Sequence, residues 1–134
     1  MRDERIWIHE GEFLRVRVPA YLERSLQLAL AGVHAPFFEH RDAGALEVVL
    51  QGSEWERIAP RFAGSTVTAG FRLVSVHPGP DSAFPARLRR ALNEDGVEAG
   101  LLPSFHHDHV LVRDDQLPRC LEVVRQLLSD STAR

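Results

Sequence analysis

The feature that most constrains this chain is an order of elements that occurs twice. Residues 97–113 read as an apolar strand, a short polar turn and a second apolar strand, with an amphipathic helix on each side. The strand Phe71–Val76 precedes them, so about sixty residues carry the order βαββα. The same order fits the first half. Phe13-Leu14-Arg15-Val16 and Phe71-Arg72-Leu73-Val74 open the halves 58 residues apart, and hairpin strands centred on Val48 and Val110 lie 62 apart. A near-constant offset points to internal duplication. The expected fold class is α+β: two halves, residues 1–69 and 70–134, with antiparallel sheets and helices on one face.

Local patterns supply the elements. Arg5–His9 reads as a strand that turns at Glu10-Gly11-Glu12 into Phe13–Val18, where Leu14, Val16 and Val18 alternate with Arg15 and Arg17. Leu22, Leu26, Ala29, Leu30 and Val33 keep helical spacing, and Gly32 is the expected stop. Pro36–Arg41 and Ala45–Leu50 flank Asp42-Ala43-Gly44, a hairpin signal. Ser53 with Glu56 forms a capping-box pattern for a short helix reaching Phe62, limited by Pro60 and Gly64. In the second half, Phe84, Leu88, Ala91 and Leu92 form one stripe ended by Gly96, and Leu117, Leu121, Val124 and Leu128 mark the last helix.

These stretches resemble the ACT-domain family of small βαββαβ regulatory modules, and its tandem-ACT branch in particular, which implies that each half is a ferredoxin-like βαββαβ unit. Phe13-Leu14-Arg15-Val16-Arg17-Val18-Pro19 is similar to the branch's opening strand. Pro36-Phe37-Phe38-Glu39-His40-Arg41 with Ala45-Leu46-Glu47-Val48-Val49-Leu50 is similar to its first hairpin. Ser104-Phe105-His106-His107-Asp108-His109-Val110-Leu111-Val112 resembles its strongest signature, an aromatic, two variable residues, Asp, an aromatic or His, then an apolar strand. The loop after Val76 is richer in proline than the branch's usual loop. The resemblance implies a non-catalytic regulatory protein that binds an amino acid or similar small ligand at the interface of the halves or subunits, forms a homo-oligomer such as a dimer, and acts on a regulated partner protein. A ligand-free oligomerisation or docking module is the alternative.

The ligand loop implied by the resemblance is His77-Pro78-Gly79 followed by Asp81 and Ser82. This segment joins a strand end to a helix start, where unpaired N–H groups and the helix dipole favour a carboxylate. Gly79 allows close backbone approach, and Asp81 or Ser82 can cap the helix or meet an ammonium group. Val97, Glu98, Ala99 and Gly100 form the expected second wall. A rigid structural turn accounts for the same residue types.

Other chemistries find little support. The net charge is −3, with sixteen basic and nineteen acidic residues, and no basic face for nucleic acid is expected. His107 and His109 share a strand face and can supply two metal ligands, but a closed zinc site needs four. A polar turn held by Asp108 is preferred there, and no metal or cofactor is expected. The single Cys120 excludes an intrachain disulfide and reads as a small buried hydrophobe. Trp7 and Trp55 read as core anchors in preference to interface residues. The N-terminus lacks an apolar run of signal-peptide length, and no stretch is long enough to span a membrane. A cytoplasmic location follows as the expectation.

Overall fold

The computed structural model describes residues 4–103 and 108–132. By internal contacts the chain forms two units. Residues 11–70 make one, and the N-terminal segment through Glu10 joins residues from Phe71 onward in the other. The sequence boundary at 69/70 therefore needs one amendment: the N-terminal strand goes with the second half.

That strand, β1 (Ile6–Ile8), opens the chain. The 11–70 unit then runs β2 (Phe13–Pro19), α1 (Glu23–Leu30), β3 (Phe38–Asp42), β4 (Ala45–Gln51) and α2 (Gly52–Ile58). It closes with the first residues of β5 (Thr66–Val76). β4 pairs antiparallel with both β2 and β3, placing Val16 opposite Val48 and Phe38 opposite Val49. Leu14, Val16 and Val18 with Leu46, Val48 and Leu50 turn one sheet face onto Leu26, Ala29 and Leu30 of α1 and onto Trp55, Ile58 and Phe62. Arg15 and Arg17 occupy the other face, where Arg15 meets Glu47 at 3.1 Å. The alternation along β2 is thus the alternation of core and exterior.

The capping expectation for α2 is corrected. The helix starts at Gly52, its N-cap is the extended Gln51, and Ser53 Oγ lies 3.3 Å from Gln51 Oε1 instead of capping. β4 runs straight into the helix because the Gly52 N–H donates to the Glu12 carbonyl at 2.8 Å. Pro60 sits in a 3-10 turn (Ala59–Arg61) that ends the α-helical run, as a residue without an N–H must.

The second unit contains the rest of β5, α3 (Phe84–Glu94), β6 (Ala99–Pro103), β7 (Asp108–Arg113) and α4 (Leu117–Thr132). β5 pairs antiparallel with β1 on one side and β7 on the other, and β6 pairs with β7. Val74, Val76, Val110 and Val112 face the helices and pack on Phe84, Leu88, Leu92, Cys120, Leu121, Val124 and Leu128. Ile6 and Ile8 pack against the same core, half-buried. β1 thus pairs with β5 and shares the core beneath that strand. Gly96, at φ +74, ends α3 as expected.

Both units thus carry helices on one sheet face in the βαββα order. Among the described residues, no helix is long and apolar enough to cross a membrane. Trp55 is buried as expected, whereas Trp7 is 69% exposed.

Candidate functional site

The turn from β5 into α3 is built by its own side chains. Gly79 has φ +82, and nothing stands within 4 Å of where a Cβ would project. Asp81 Oδ1 accepts from the Ala83 N–H at 3.0 Å, and Asp81 Oδ2 pairs with Arg87. The Phe84 N–H donates to the Asp81 carbonyl at 3.3 Å. Asp81 therefore holds the turn that precedes α3 and does not cap the helix, whose N-cap is Ala83 with no side-chain cap hydrogen bond, and Ser82 is exposed. Pro78 is half-buried and His77 is exposed, with its backbone N–H on the Arg5 carbonyl at 2.8 Å.

The second expected wall differs from the sequence reading in extent and position. The strand expected at Val97–Gly100 begins at Ala99 and runs to Pro103. Val97 is a core residue whose N–H closes onto the Leu92 carbonyl at 2.9 Å. The Glu98 N–H donates to Gln116 Oε1 at 3.1 Å. β7 lies between β5 and β6, with Gly100 opposite Leu111 and Leu111 opposite Leu73. Val76, by contrast, is level with Asp108 and Pro103. The 77–82 turn and the 97–100 segment consequently stand at opposite ends of the sheet within one unit.

A cluster that sequence reasoning missed lies on the sheet face turned away from the helices. Ser75 is 6% exposed, and its Oγ lies 2.7 Å from His9 Nε2 and 2.7 Å from His109 Nδ1. Register brings them together, because Ser75 is opposite Trp7 on β1 and opposite His109 on β7. The Trp7 and His9 rings stack with centroids 5.4 Å apart and planes 7° from parallel. Burial lowers the pKa of His9 below its ordinary value. Glu4, Arg5, Trp7, His9, Ser75, His77 and His109 line a cavity of about 210 Å³. The available signal in the sequence was Ser75 itself, the one polar residue in the apolar run Leu73–Val76.

His106 and His107 of the metal reading lie outside the described residues. Asp108 and His109 begin β7, and no group of three or more metal-ligating side chains occurs among the described residues. Cys120 is buried, and burial pushes its thiol up to about 11. A second, larger cavity of about 490 Å³ runs along α3 and α4, where Asp95 and Arg119 are paired.

No family model and no curated protein matches the sequence. Solved structures do match. Aspartate kinase of Clostridium acetobutylicum superposes with a TM-score of 0.74 at 10% identity over 93% of this chain and 34% of that one. This chain thus spans about a third of that kinase. A protein of unknown function from Vibrio cholerae, described as a possible transport protein, gives 0.65 at 18% identity over 90% and 86% of the two chains. The ligand-free regulatory subunit of aspartate kinase from Thermus thermophilus gives 0.64 at 12% identity over 91% and 96%. At these identities the likeness establishes fold: the α+β ACT-like arrangement, carried twice.

Proposed function

We propose that this chain is a non-catalytic regulatory module that binds an amino acid or similar small ligand at the His77–Ser82 turn. The observation that carries the reading is its match, nearly end to end, with an aspartate kinase regulatory subunit: 91% of this chain against 96% of that one. The ligand carboxylate would meet backbone N–H groups near Gly79, where the backbone is open. Its ammonium would meet a carbonyl, since both carboxylate oxygens of Asp81 already have partners. The 97–100 segment of a second copy would supply the other wall, which makes the site one of a homodimer. Binding would then act on a partner protein through different affinities for two arrangements of the copies.

A thermal-shift screen of the twenty amino acids tests this reading. Ligand at a hundredfold excess over Kd adds about 2.7 kcal/mol of stability, so a binder raises Tm by several degrees. Flat curves for all twenty at millimolar concentration would overturn it.

One observation favours a second reading, a ligand-free docking module. Tyr21 and Leu28 are 81% and 71% exposed, large side chains that a docked surface would cover. Light scattering of wild type and the Tyr21→Ser, Leu28→Ser double variant separates the two. Loss of self-association without any amino-acid response favours docking.

A further inference from the structure

The cavity of about 490 Å³ between α3 and α4 has an apolar floor and an acidic rim. Ala91 of α3 and Val123 and Leu127 of α4 make the floor, and all three are half-buried. Val123 and Leu127 are four apart, on one face of their helix. Glu94 and Asp95 form the rim at the end of α3, and Glu122 and Asp130 form it along α4. From Arg119 to Asp130 the lining of α4 runs about three turns, about 16 Å of helix axis. The cavity therefore has the length of a short helix.

Charge is concentrated there. The chain has sixteen basic and nineteen acidic residues; setting aside Arg119 and the four carboxylates of the groove leaves fifteen of each. The groove thus holds the whole formal net charge of −3. Arg119 pairs with Asp95 and, at 2.8 Å, with Glu122. Glu94 and Asp130 have no cationic partner among the described residues, and Asp130 accepts only from Gln126 Nε2 at 3.0 Å. Like charges gathered on one surface oppose the compact state, so stability does not account for them. The same groove of a second copy has the same sign and is repelled. A complementary occupant brings basic side chains to the rim and apolar ones to the floor. A helix suits this better than an extended segment, because the backbone groups of α3 and α4 are bonded within their helices and offer no strand edge. A third helix laid along two others also seats its ridge in their groove.

We propose that the α3–α4 groove is the docking site for a basic amphipathic helix of a partner protein. Its apolar stripe lies on Ala91, Val123 and Leu127, and its Lys or Arg side chains meet Glu94, Glu122 and Asp130. The regulated partner of the proposed function would carry this helix, and for that role the inference rests on that reading. The rim charges govern encounter rate and salt dependence, and the floor contacts govern how long the complex lasts.

The test is a fluorescence-anisotropy titration of a labelled synthetic peptide with the full chain. The peptide has about 14 residues, with leucines at i, i+3, i+4 and i+7 and arginines on either flank. Its control is the same composition shuffled so that the leucines scatter around the helix. The expected result is saturable one-to-one binding, at least tenfold tighter than the control. Affinity should fall at least fivefold between about 50 mM and about 500 mM salt. Ala91→Gln keeps a good helix former while filling the floor and should weaken binding at least tenfold. Glu94→Gln with Asp130→Asn should weaken it at least threefold and flatten the salt dependence. A far-UV spectrum and an unchanged backbone amide map confirm that both variants fold. No saturation at about 200 μM chain, equal affinity for the shuffled peptide, or full affinity in Ala91→Gln would each overturn the proposal. So would displacement of the peptide by equimolar spermine, which assigns the groove to a small polycation, or a change of self-association in Ala91→Gln by light scattering, which assigns it to a second copy. The peptide is titrated without amino acid, so failure here is distinct from failure of the amino-acid screen.

Discussion

Ile6 stands directly opposite Val76 on neighbouring antiparallel strands, seventy positions away in the chain. The His77 N–H continues the ladder to the Arg5 carbonyl at 2.8 Å, and the His9 N–H reaches the Leu73 carbonyl at 2.9 Å. A segment that precedes the first unit in sequence therefore completes the sheet of the second. It also supplies Trp7 and His9, two walls of the imidazole cavity.

Ile6 and Ile8 are half-buried on the core of the second unit, so each methyl-rich side chain contributes only part of a full burial. Replacing both by alanine should cost about 2–3 kcal/mol, below the range for two fully buried isoleucines. Urea unfolding followed by circular dichroism reads this as a lower midpoint. An unchanged midpoint would mean that β1 contributes nothing to the unit it pairs with.

Leu88 and Leu28 are chemically identical and differently placed. Leu88, on the inner face of α3, is fully buried, and Leu28 is 71% exposed on α1. Leu88→Ala should destabilise by about 3–4 kcal/mol through lost transfer energy and the cavity left behind. Leu28→Ala should stay within about 0.5 kcal/mol of wild type. Chemical denaturation of the two variants side by side gives the comparison, and equal costs would contradict the burial seen here.

The reach of the sequence can be judged residue by residue. The stripe Phe84, Leu88, Leu92 is buried as its spacing says, because helical period and core contact are the same fact seen twice. Arg15 and Arg17 likewise mark the outer face of β2. Partners are another matter. Alternation identifies Ile6–Ile8 as a strand, but nothing local says whether β2 or β5 will take it. Ser53 has the residue type of a cap, yet the cap position is fixed by where β4 ends. The His9–Ser75–His109 cluster was the least legible feature. Its members are 66 and 34 positions apart, and only the strand registers join them. The 77–82 turn was readable as a strand-to-helix junction, and the distance from it to residues 97–100 depends on β7 lying between β5 and β6.

Cys120 is buried in the second core, and desolvation pushes its thiol up to about 11. The thiolate is the reactive form, so the native protein should resist a disulfide-exchange reagent at pH 8. Reaction should occur at the rate of unfolding and become fast in denaturant. Cys120→Ser should cost about 1–3 kcal/mol, because a hydroxyl in that apolar setting lacks a partner. Cys120→Ala should cost less. A thiol titrating rapidly in the folded state would show that this part of the core opens.

His9 gives the stability a defined pH slope. Burial lowers its pKa below the ordinary 6.5, so the folded state binds this proton less readily than the unfolded chain. Between the two values the unfolded chain holds more protons, and stability rises with pH. The contribution is complete above about pH 6.5, the unfolded value. It is lost progressively as pH falls through the folded one. His9→Asn removes this titration while leaving every other group in place, so the wild-type-minus-variant difference isolates it. That difference, from unfolding midpoints between pH 5 and pH 8, should be constant on the alkaline side and shrink on the acid side. A difference that grows as pH falls would mean that the folded protein favours the charged ring, and that Ser75 and its neighbours stabilise an imidazolium more than burial opposes it.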